Sequence, residues 1–166
     1  MEHVNILKQT DIFYDLTPAQ LEMIASICQD RSVRAGEMVF QENTSGNEMF
    51  VIVRGEVEVQ LDPSLVEGAT TRKSPGPVTI VTLREGQTFG EVALVDQGLR
   101  SASVRGAADN TRLLMIPRQK LLTLCESYPD LGYRIMRNVA ADMAFKIRND
   151  DLAIREQLLW RPRQAI

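Results

Sequence analysis

The sequence predicts an α+β protein, mainly β, in which helices at both ends flank a central block of short strands. Two changes in the spacing of apolar residues carry this prediction. Helical spacing dominates residues 1–30 and 117–160, whereas residues 31–116 form short alternating segments separated by glycines and polar turns. We expect residues 1–160 to form one domain and residues 161–166 to form a tail, because 166 residues suit a single domain.

The N-terminal helical segment is predicted to consist of two pieces. Thr17 can cap the second piece, and Pro18 suits its first turn. The apolar face of this piece comprises Leu21, Ile24, Ala25 and Cys28. Only two cysteines occur, Cys28 and Cys125, and their apolar surroundings indicate reduced core thiols.

The central block contains one pattern typical of a hairpin. The alternating segments 51–53 and 56–59 are separated by Arg54-Gly55. Residues 62–77 are rich in Pro, Ser, Gly and Thr and predict a surface loop. Strand character resumes at residues 78–83, and we expect the last strands at residues 101–105 and 112–116.

The C-terminal segment predicts a short helix and then a long one. Pro117 starts the first, Pro129 interrupts it, and the long helix runs from Asp130 to about Gln157. Apolar residues recur at every fourth position of the long helix, at Leu131, Ile135, Val139, Met143 and Ile147, and continue at Ile154 and Leu158. Such a stripe packs on the strands, on a second copy of the chain, or on both.

The stretch from Phe89 to Arg100 contains the parts needed to hold a sugar beside a phosphate. Gly90 allows a ligand to approach the backbone, and the Glu91 carboxylate can accept a hydrogen bond from a sugar hydroxyl. A helical turn over residues 91–95 would expose N–H groups to an anion. Arg100 adds a charged planar fork that suits phosphate oxygens.

This stretch closely resembles the phosphate-binding cassette of cyclic nucleotide-binding domains, the family that includes catabolite activator protein and the regulatory subunits of cAMP-dependent protein kinase. The matching residues are Phe89, Gly90, Glu91, Val92, Ala93, Leu94, Arg100, Ser101, Ala102, Ser103 and Val104. The resemblance covers roughly residues 8–150. It implies an eight-stranded antiparallel β-roll, similar to a jelly roll, with N-terminal helices, a short cassette helix within residues 89–104 and a long C-terminal lid helix.

The resemblance also implies a role for individual residues. Glu91 would bind the ribose 2′-hydroxyl, and Arg100 would pair with the cyclic phosphate. Backbone N–H groups near Ala93 and Leu94, with groups at Ser101 and Ala102, would complete the phosphate site. The remaining members of the implied binding set are Phe89, Gly90, Val92 and Ser103 in the cassette and Val59 and Ile80 against the base.

Asp150 and Asp151 lie on the long helix about where the family touches the base. A carboxylate there could accept hydrogen bonds from both donors of guanine, which would favour cGMP, or from the single amine of adenine. The alternative is that both are solvated helix residues. Either Trp160 or Phe145 could cap the base, although both residue types more often serve in packing.

Composition excludes several classes of protein. The net charge of −3 and pI near 5.3 argue against a nucleic-acid surface, and no apolar run is long enough to span a membrane. His3 is the only histidine, so neither a His-based catalytic triad nor a cupin-type metal site can form. No signal peptide is visible at the N-terminus, which favours a cytoplasmic protein.

The sequence therefore predicts a non-enzymatic sensor of cAMP or cGMP that needs no metal or other cofactor. Ligand binding would move the lid helix and so regulate an unknown effector protein, or a homodimer formed through that helix. Two alternatives remain open. The chain could be a truncated effector domain of a catabolite-activator-type transcription regulator, or a degenerate interaction module that binds no nucleotide.

Overall fold

The computed structural model describes residues 2–65, 76–96 and 98–159 of the chain. The chain begins with α1 (Glu2–Lys8), a 3-10 turn (Asp11–Phe13) and α2 (Pro18–Ile27). The predicted start of α2 is confirmed: the Thr17 hydroxyl accepts from the Gln20 N–H, while the Gln20 side chain accepts from the Thr17 N–H.

Eight strands follow, and they form two four-stranded antiparallel sheets. Their order is β1-β8-β3-β6 in one sheet and β2-β7-β4-β5 in the other. The strands are β1 (Gln29–Val33), β2 (Met38–Phe40), β3 (Glu48–Arg54), β4 (Glu56–Leu61), β5 (Val78–Arg84), β6 (Thr88–Phe89), β7 (Ser103–Gly106) and β8 (Thr111–Pro117). The predicted mainly β, eight-stranded fold is thus confirmed, with β1 beginning at Gln29 and so two residues earlier than the predicted strand block.

The predicted hairpin between residues 51–53 and 56–59 is wrong. These segments become β3 and β4, which lie in different sheets and do not pair with each other. Gly55 alone separates them, and the tightest common hairpin turn needs two residues. Gly55 has a φ of +85° and lies against Thr111, so the chain crosses there from one sheet to the other.

Two hydrophobic clusters hold the fold together. One lies between the two sheets and is built from aromatic and branched side chains, including Phe50, Ile52, Val57, Phe89 and Leu113. The other joins the first sheet to the helices and includes Leu7, Phe13, Ile24, Leu114, Leu121, Leu131 and Ile135. The helices therefore pack on the β1-β8-β3-β6 sheet.

The C-terminal helices are α4 (Arg118–Ser127) and α5 (Pro129–Leu159). Burial decreases along the described part of the α5 stripe: Val139 is buried, Met143 is partly buried, and Ile147 is 59% exposed. The side chains of Ile154 and Leu158 lie outside the described residues. Four residues span about 400° of helix, so a stripe with this spacing turns by about 40° at each step and leaves the packed face. No helix in the described parts of the chain has the length and apolar character of a membrane span.

The remaining predictions concern the loop and the cysteines. A 3-10 turn at Pro63–Leu65 opens the predicted loop, and residues 66–75 lie outside the described residues. Cys28 and Cys125 are free, half-buried thiols. Burial, reinforced by the charge of Asp30, raises the pKa of Cys28 to about 12, which keeps its thiol protonated.

Candidate functional site

The first part of the segment from β6 to β7 is anchored in the hydrophobic core by two residues. Phe89 stacks on Phe50 with ring centroids 5.0 Å apart, in the cluster between the sheets. Five residues later Leu94 is 3% exposed and packs in the cluster beneath the helices. The chain between these anchors contains Gly90, Glu91 and the short helix α3 (Val92–Val95). These two contacts restrain the backbone on both sides of Glu91.

Two glycines make room for the Arg100 guanidinium. A Cβ on Gly90 would lie 2.7 Å from Arg100 Nη1, and a Cβ on Gly46 would overlap the Arg100 Nε and Cζ atoms. Gly90 also has a φ of +76°, a conformation that side-chain-bearing residues avoid. The guanidinium therefore lies directly against backbone on two sides.

Arg100 is a buried cation with incomplete hydrogen bonding. It is 5% exposed, and its Nη2 donates to the Glu48 carbonyl O at 2.9 Å and to Glu48 Oε2 at 3.2 Å. Its Cζ lies 4.0 Å from the centre of the Phe40 ring. Within the described residues, the buried Arg100 Nε has no hydrogen-bond partner.

Electrostatics in this cluster do not fully compensate for burial. Desolvation lowers the pKa of Arg100 from its ordinary value, against the opposing charges of Glu48 and Glu91. The backbone of Arg100 is fixed, because its N–H donates to the Thr44 carbonyl and its carbonyl accepts from the Asn43 N–H. The guanidinium is thus held in place while it lacks part of the negative charge that would stabilise it.

Glu91 is buried beside Arg100 and is covered by a lysine from α5. The residue is 5% exposed, and its Oε1 lies 2.7 Å from Lys146 Nζ. The same ammonium group lies 2.9 Å from Asp142 Oδ2, one helical turn earlier, and 3.4 Å from the Thr88 carbonyl O. Burial disfavours the charged form of Lys146, but Glu91 and Asp142 outweigh it and raise the pKa of the lysine. Lys146 therefore links Glu91 of the cassette to Asp142 of α5 through two ion pairs.

The polar residues after Arg100 lie in different surroundings. Ser101 is exposed, and Ala102 is half-buried. The Ser103 hydroxyl accepts from the Glu42 N–H at 2.9 Å, so this side chain ties β7 to the loop after β2. The Leu94 N–H donates to the Glu91 carbonyl at 2.9 Å and is therefore used within the helical turn.

The apolar residues assigned to the base lie on the second sheet. Val59 on β4 is half-buried, and Ile80 on β5 is 55% exposed. They are close in register, because Val59 pairs with Val81, the residue after Ile80. In the cassette itself, Val92 is half-buried, and the side chain of Ala93 lies outside the described residues.

Of the lid candidates, Asp151 and Phe145 have described side chains, and both lie at the surface of α5. Asp151 is exposed and Phe145 is 58% exposed. The side chain of Asp150 and the whole of Trp160 lie outside the described residues. The α5 residue that contacts the cassette is instead Lys146, one turn before Asp150.

The motif did not predict the charged residues that contact Glu91 and Arg100. Lys146 is 55 residues from Glu91, and Glu48 is 52 residues from Arg100. One signal was available in the sequence: Asp142 and Lys146 stand four apart on a helix, the spacing at which opposite charges meet. No feature of the neighbouring sequence indicates that Lys146 of this pair contacts Glu91.

Comparison with known proteins identifies relatives of this chain. A family model described as "Cyclic nucleotide-binding domain" matches residues 30–128. A cyclic AMP receptor protein from Thermus thermophilus is 28% identical over 148 residues, which is 89% of this chain and 62% of that protein. A mouse cGMP-dependent protein kinase 2 is 25% identical over 118 residues, which is 71% of this chain and 14% of the kinase. The chain thus spans slightly less than two thirds of the receptor protein and a small part of the kinase.

A solved structure of a cyclic nucleotide-binding domain from Methylobacillus flagellatus supports the same fold. The two superpose with a TM-score of 0.78 at 22% identity, over 94% of this chain and 82% of that one. At this level of identity the likeness concerns the architecture: the paired antiparallel sheets and the helices packed on one of them.

Proposed function

Because the chain belongs to the cyclic nucleotide-binding domain family, we propose that it is a non-enzymatic sensor of a cyclic mononucleotide, cAMP or cGMP. The family is typically regulatory rather than catalytic. The two relatives described above carry different nucleotides in their names, cAMP in one and cGMP in the other, so the proposal covers both. It includes a cytoplasmic location, where reduced thiols such as Cys28 and Cys125 persist.

One observation carries the proposal: Arg100 is buried, fixed and incompletely neutralised. A buried guanidinium with an unpartnered N–H costs free energy unless a ligand supplies the missing acceptor and charge. A phosphodiester supplies both, through oxygens that match the planar fork of the guanidinium. The natural ligand of Arg100 is therefore an anion with two or more oxygens on one centre.

Glu91 restricts which anion can bind. Its carboxylate lies close enough to Arg100 to affect the pKa of that residue, and it would repel a bare phosphate. A ligand with a hydroxyl beside its phosphate satisfies both groups, because the hydroxyl donates to the carboxylate while the phosphate pairs with the guanidinium. A ribose 3′,5′-cyclic phosphate has this arrangement. The proposed roles are thus the 2′-hydroxyl for Glu91 and the cyclic phosphate for Arg100.

The signal would pass through α5, which already contacts the cassette through Lys146. A ligand that binds one position of α5 better than another shifts the population between them. The distal half of the helix exposes Phe145 and Leu152, which are seven residues apart and so share one face, and this apolar face suits an effector protein or a second copy of the chain.

A second candidate function is the effector domain of a transcription regulator. The similarity to the cyclic AMP receptor protein favours it, because that similarity covers 89% of this chain. In this case a DNA-reading segment would belong to the same polypeptide. Reading the coding sequence beyond codon 166 tests this candidate: an open frame that encodes a helix-turn-helix supports it, and a stop codon rejects it.

The test of the sensor proposal is isothermal titration calorimetry with cAMP and with cGMP. We expect the wild-type chain to bind at least one of them, and Arg100→Ala to weaken that binding by about 30-fold or more, because the buried phosphate loses its charge partner. Arg34→Ala is the matched control, since Arg34 is exposed and lies between β1 and β2. Circular dichroism checks that each variant is folded.

The proposal fails if the folded wild-type chain binds neither nucleotide, and the chain is then an interaction module that has kept the fold. It also fails if Arg100→Ala binds as tightly as wild type. Equal losses in Arg100→Ala and Arg34→Ala would mean that only the net charge matters, which would likewise reject the assigned role of Arg100.

A further inference from the structure

Lys146 covers the Glu91 carboxylate on its solvent side. The Glu91 side chain is 6% exposed, whereas the Lys146 side chain bonded to it is 38% exposed. The ammonium group is held on the helix side by Asp142, whose side chain is 15% exposed. A sugar hydroxyl that approaches Glu91 from solvent therefore meets Lys146 first.

The ion pair between Lys146 and Glu91 is strong enough to affect ligand affinity and weak enough for a ligand to break it. At 2.7 Å it is a charge-assisted hydrogen bond, and Lys146 is partly solvated, so water can take over its donors when the pair breaks. Asp142 remains as a partner for the displaced ammonium group. Separation of Lys146 from Glu91 thus leaves no buried lysine without a counter-charge.

We propose that Lys146 sets the ligand affinity of this site by competing with the sugar hydroxyl for the Glu91 carboxylate. Without ligand, Lys146 binds Glu91 and ties α5 to the cassette. On binding, the hydroxyl replaces the ammonium group at Glu91, and Lys146 stays paired with Asp142. The inference rests on the proposed function, and it adds a specific step by which occupation of the sugar site releases a contact of α5.

Competition between Lys146 and the sugar hydroxyl predicts that loss of Lys146 affects ligands with the 2′-hydroxyl more than ligands without it. In Lys146→Met the competitor is gone, so cAMP should bind about three- to fivefold more tightly, the value of one partly exposed ion pair. A 2′-deoxy-cAMP probe has no hydroxyl to exchange with Lys146, so its affinity should change little. The ratio of the two dissociation constants, 2′-deoxy to cAMP, should therefore rise by about three- to fivefold in the variant. The corresponding cGMP pair serves as probe if cGMP binds better.

Comparison of the ratio within each variant removes the general effect of losing a positive charge near a phosphate, because that effect acts on both probes alike. Lys8→Met is the matched control, since Lys8 is exposed on α1. Lys146→Gln provides a second neutral side chain in case Lys146→Met does not fold. Calorimetry supplies all the dissociation constants.

Each outcome of the calorimetry either supports or overturns the competition between Lys146 and the sugar hydroxyl. A raised ratio in Lys146→Met and Lys146→Gln, with no change in Lys8→Met, supports the competition. An unchanged ratio means that the hydroxyl uses the second Glu91 oxygen without displacing Lys146, and a lowered ratio means that Lys146 itself binds the ligand; both overturn the inference while the sensor function stands. If the wild-type chain binds no probe, the proposed function fails and the inference falls with it.

Discussion

At the scale of single residues, the site is built around two buried charged side chains, Arg100 and Glu91, each of which contacts a charged residue from another part of the chain. Arg100 is bound to Glu48 and lies over Phe40, while Glu91 is bound to Lys146. Neither cation–anion pair is complete, as the free Arg100 Nε and the solvated side of Lys146 show within the described residues. These contacts hold the Arg100 and Glu91 side chains in position, and in the proposed function a ligand takes the place of part of them.

The packing of Arg100 on Gly46 gives a residue-scale prediction. Gly46 has an ordinary φ, so alanine suits its backbone, but the added Cβ would overlap the guanidinium. We expect Gly46→Ala to push Arg100 away from Glu48 and to weaken nucleotide binding by about tenfold, the effect of roughly 1–2 kcal/mol of overpacking. Calorimetry measures the dissociation constant.

Gly36→Ala is the contrasting control for this prediction. Gly36 has a φ of +78° and open space around its Cβ position, so alanine there strains the backbone without touching the site. It should lower the free energy of unfolding by about 1 kcal/mol and leave the affinity unchanged. Unaltered affinity in Gly46→Ala would show that Arg100 does not need its present position.

Sequence reasoning at this scale reached the residues that share one short segment. Glu91 and Arg100 were predicted from the motif. Both are buried, and they lie close enough for the charge of Glu91 to affect the pKa of Arg100. Glu48 and Lys146 were not predicted, because each meets its partner only after the chain has folded across more than 50 residues. Local pattern carries no information on such distant pairings.

At the scale of elements, α5 is the part that links the cassette to the N-terminal helices. Asn138 on this helix is 8% exposed, and its amide donates to the carbonyls of Ile12 and Tyr14 at 3.1 and 2.8 Å. These bonds attach the 3-10 turn at Asp11–Phe13 to the middle of α5. Lys146 lies two turns further along the same helix.

We expect Asn138→Ala to lower the free energy of unfolding by about 1–3 kcal/mol, because it removes the donor from the buried bond to the Ile12 carbonyl and from the part-buried bond to the Tyr14 carbonyl. Arg134→Ala is the control: Arg134 donates to the carboxylate and the carbonyl of the exposed Asp15 and pairs with the exposed Asp130, and loss of these solvated contacts should cost less than about 1 kcal/mol. Urea titration followed by circular dichroism gives both values. Equal, small losses of unfolding free energy in the two variants would show that Asn138 does not hold the 3-10 turn on α5.

The elements with strong local signals were the most predictable. The Thr17 cap and the break at Pro129 lie where the sequence predicted them, since capping and proline geometry are local properties. The apolar stripe of α5 was predicted as one face, but its four-residue spacing turns around the helix, which leaves Ile147 exposed. Whether a second chain covers that exposed half stays a prediction.

At the scale of the whole molecule, the two sheets pack face to face and the helices form a layer on one of them. The fold class followed from the sequence and its resemblance to the family, but the connection at Gly55 did not. Alternation of apolar residues predicts that β3 and β4 are strands, yet it does not say which strands pair. Pairing depends on contacts between distant segments, such as β3 with β8.

Ligand binding should stabilise the whole molecule if Glu91 and Arg100 form the site. A ligand at about one hundred times its dissociation constant adds roughly 2.7 kcal/mol to the stability of the folded chain. For a protein of this size, that corresponds to a rise in Tm of about 5–10 °C. Arg100→Lys keeps the positive charge but loses the planar fork, so it separates recognition from simple charge attraction.

The most direct measurement is therefore the Tm of the wild-type chain and of Arg100→Lys, each with and without saturating cAMP or cGMP. We predict a rise of about 5–10 °C for the wild type with at least one nucleotide, and almost none for Arg100→Lys. No rise for the wild type with either nucleotide, or an equal rise in Arg100→Lys, would contradict the account.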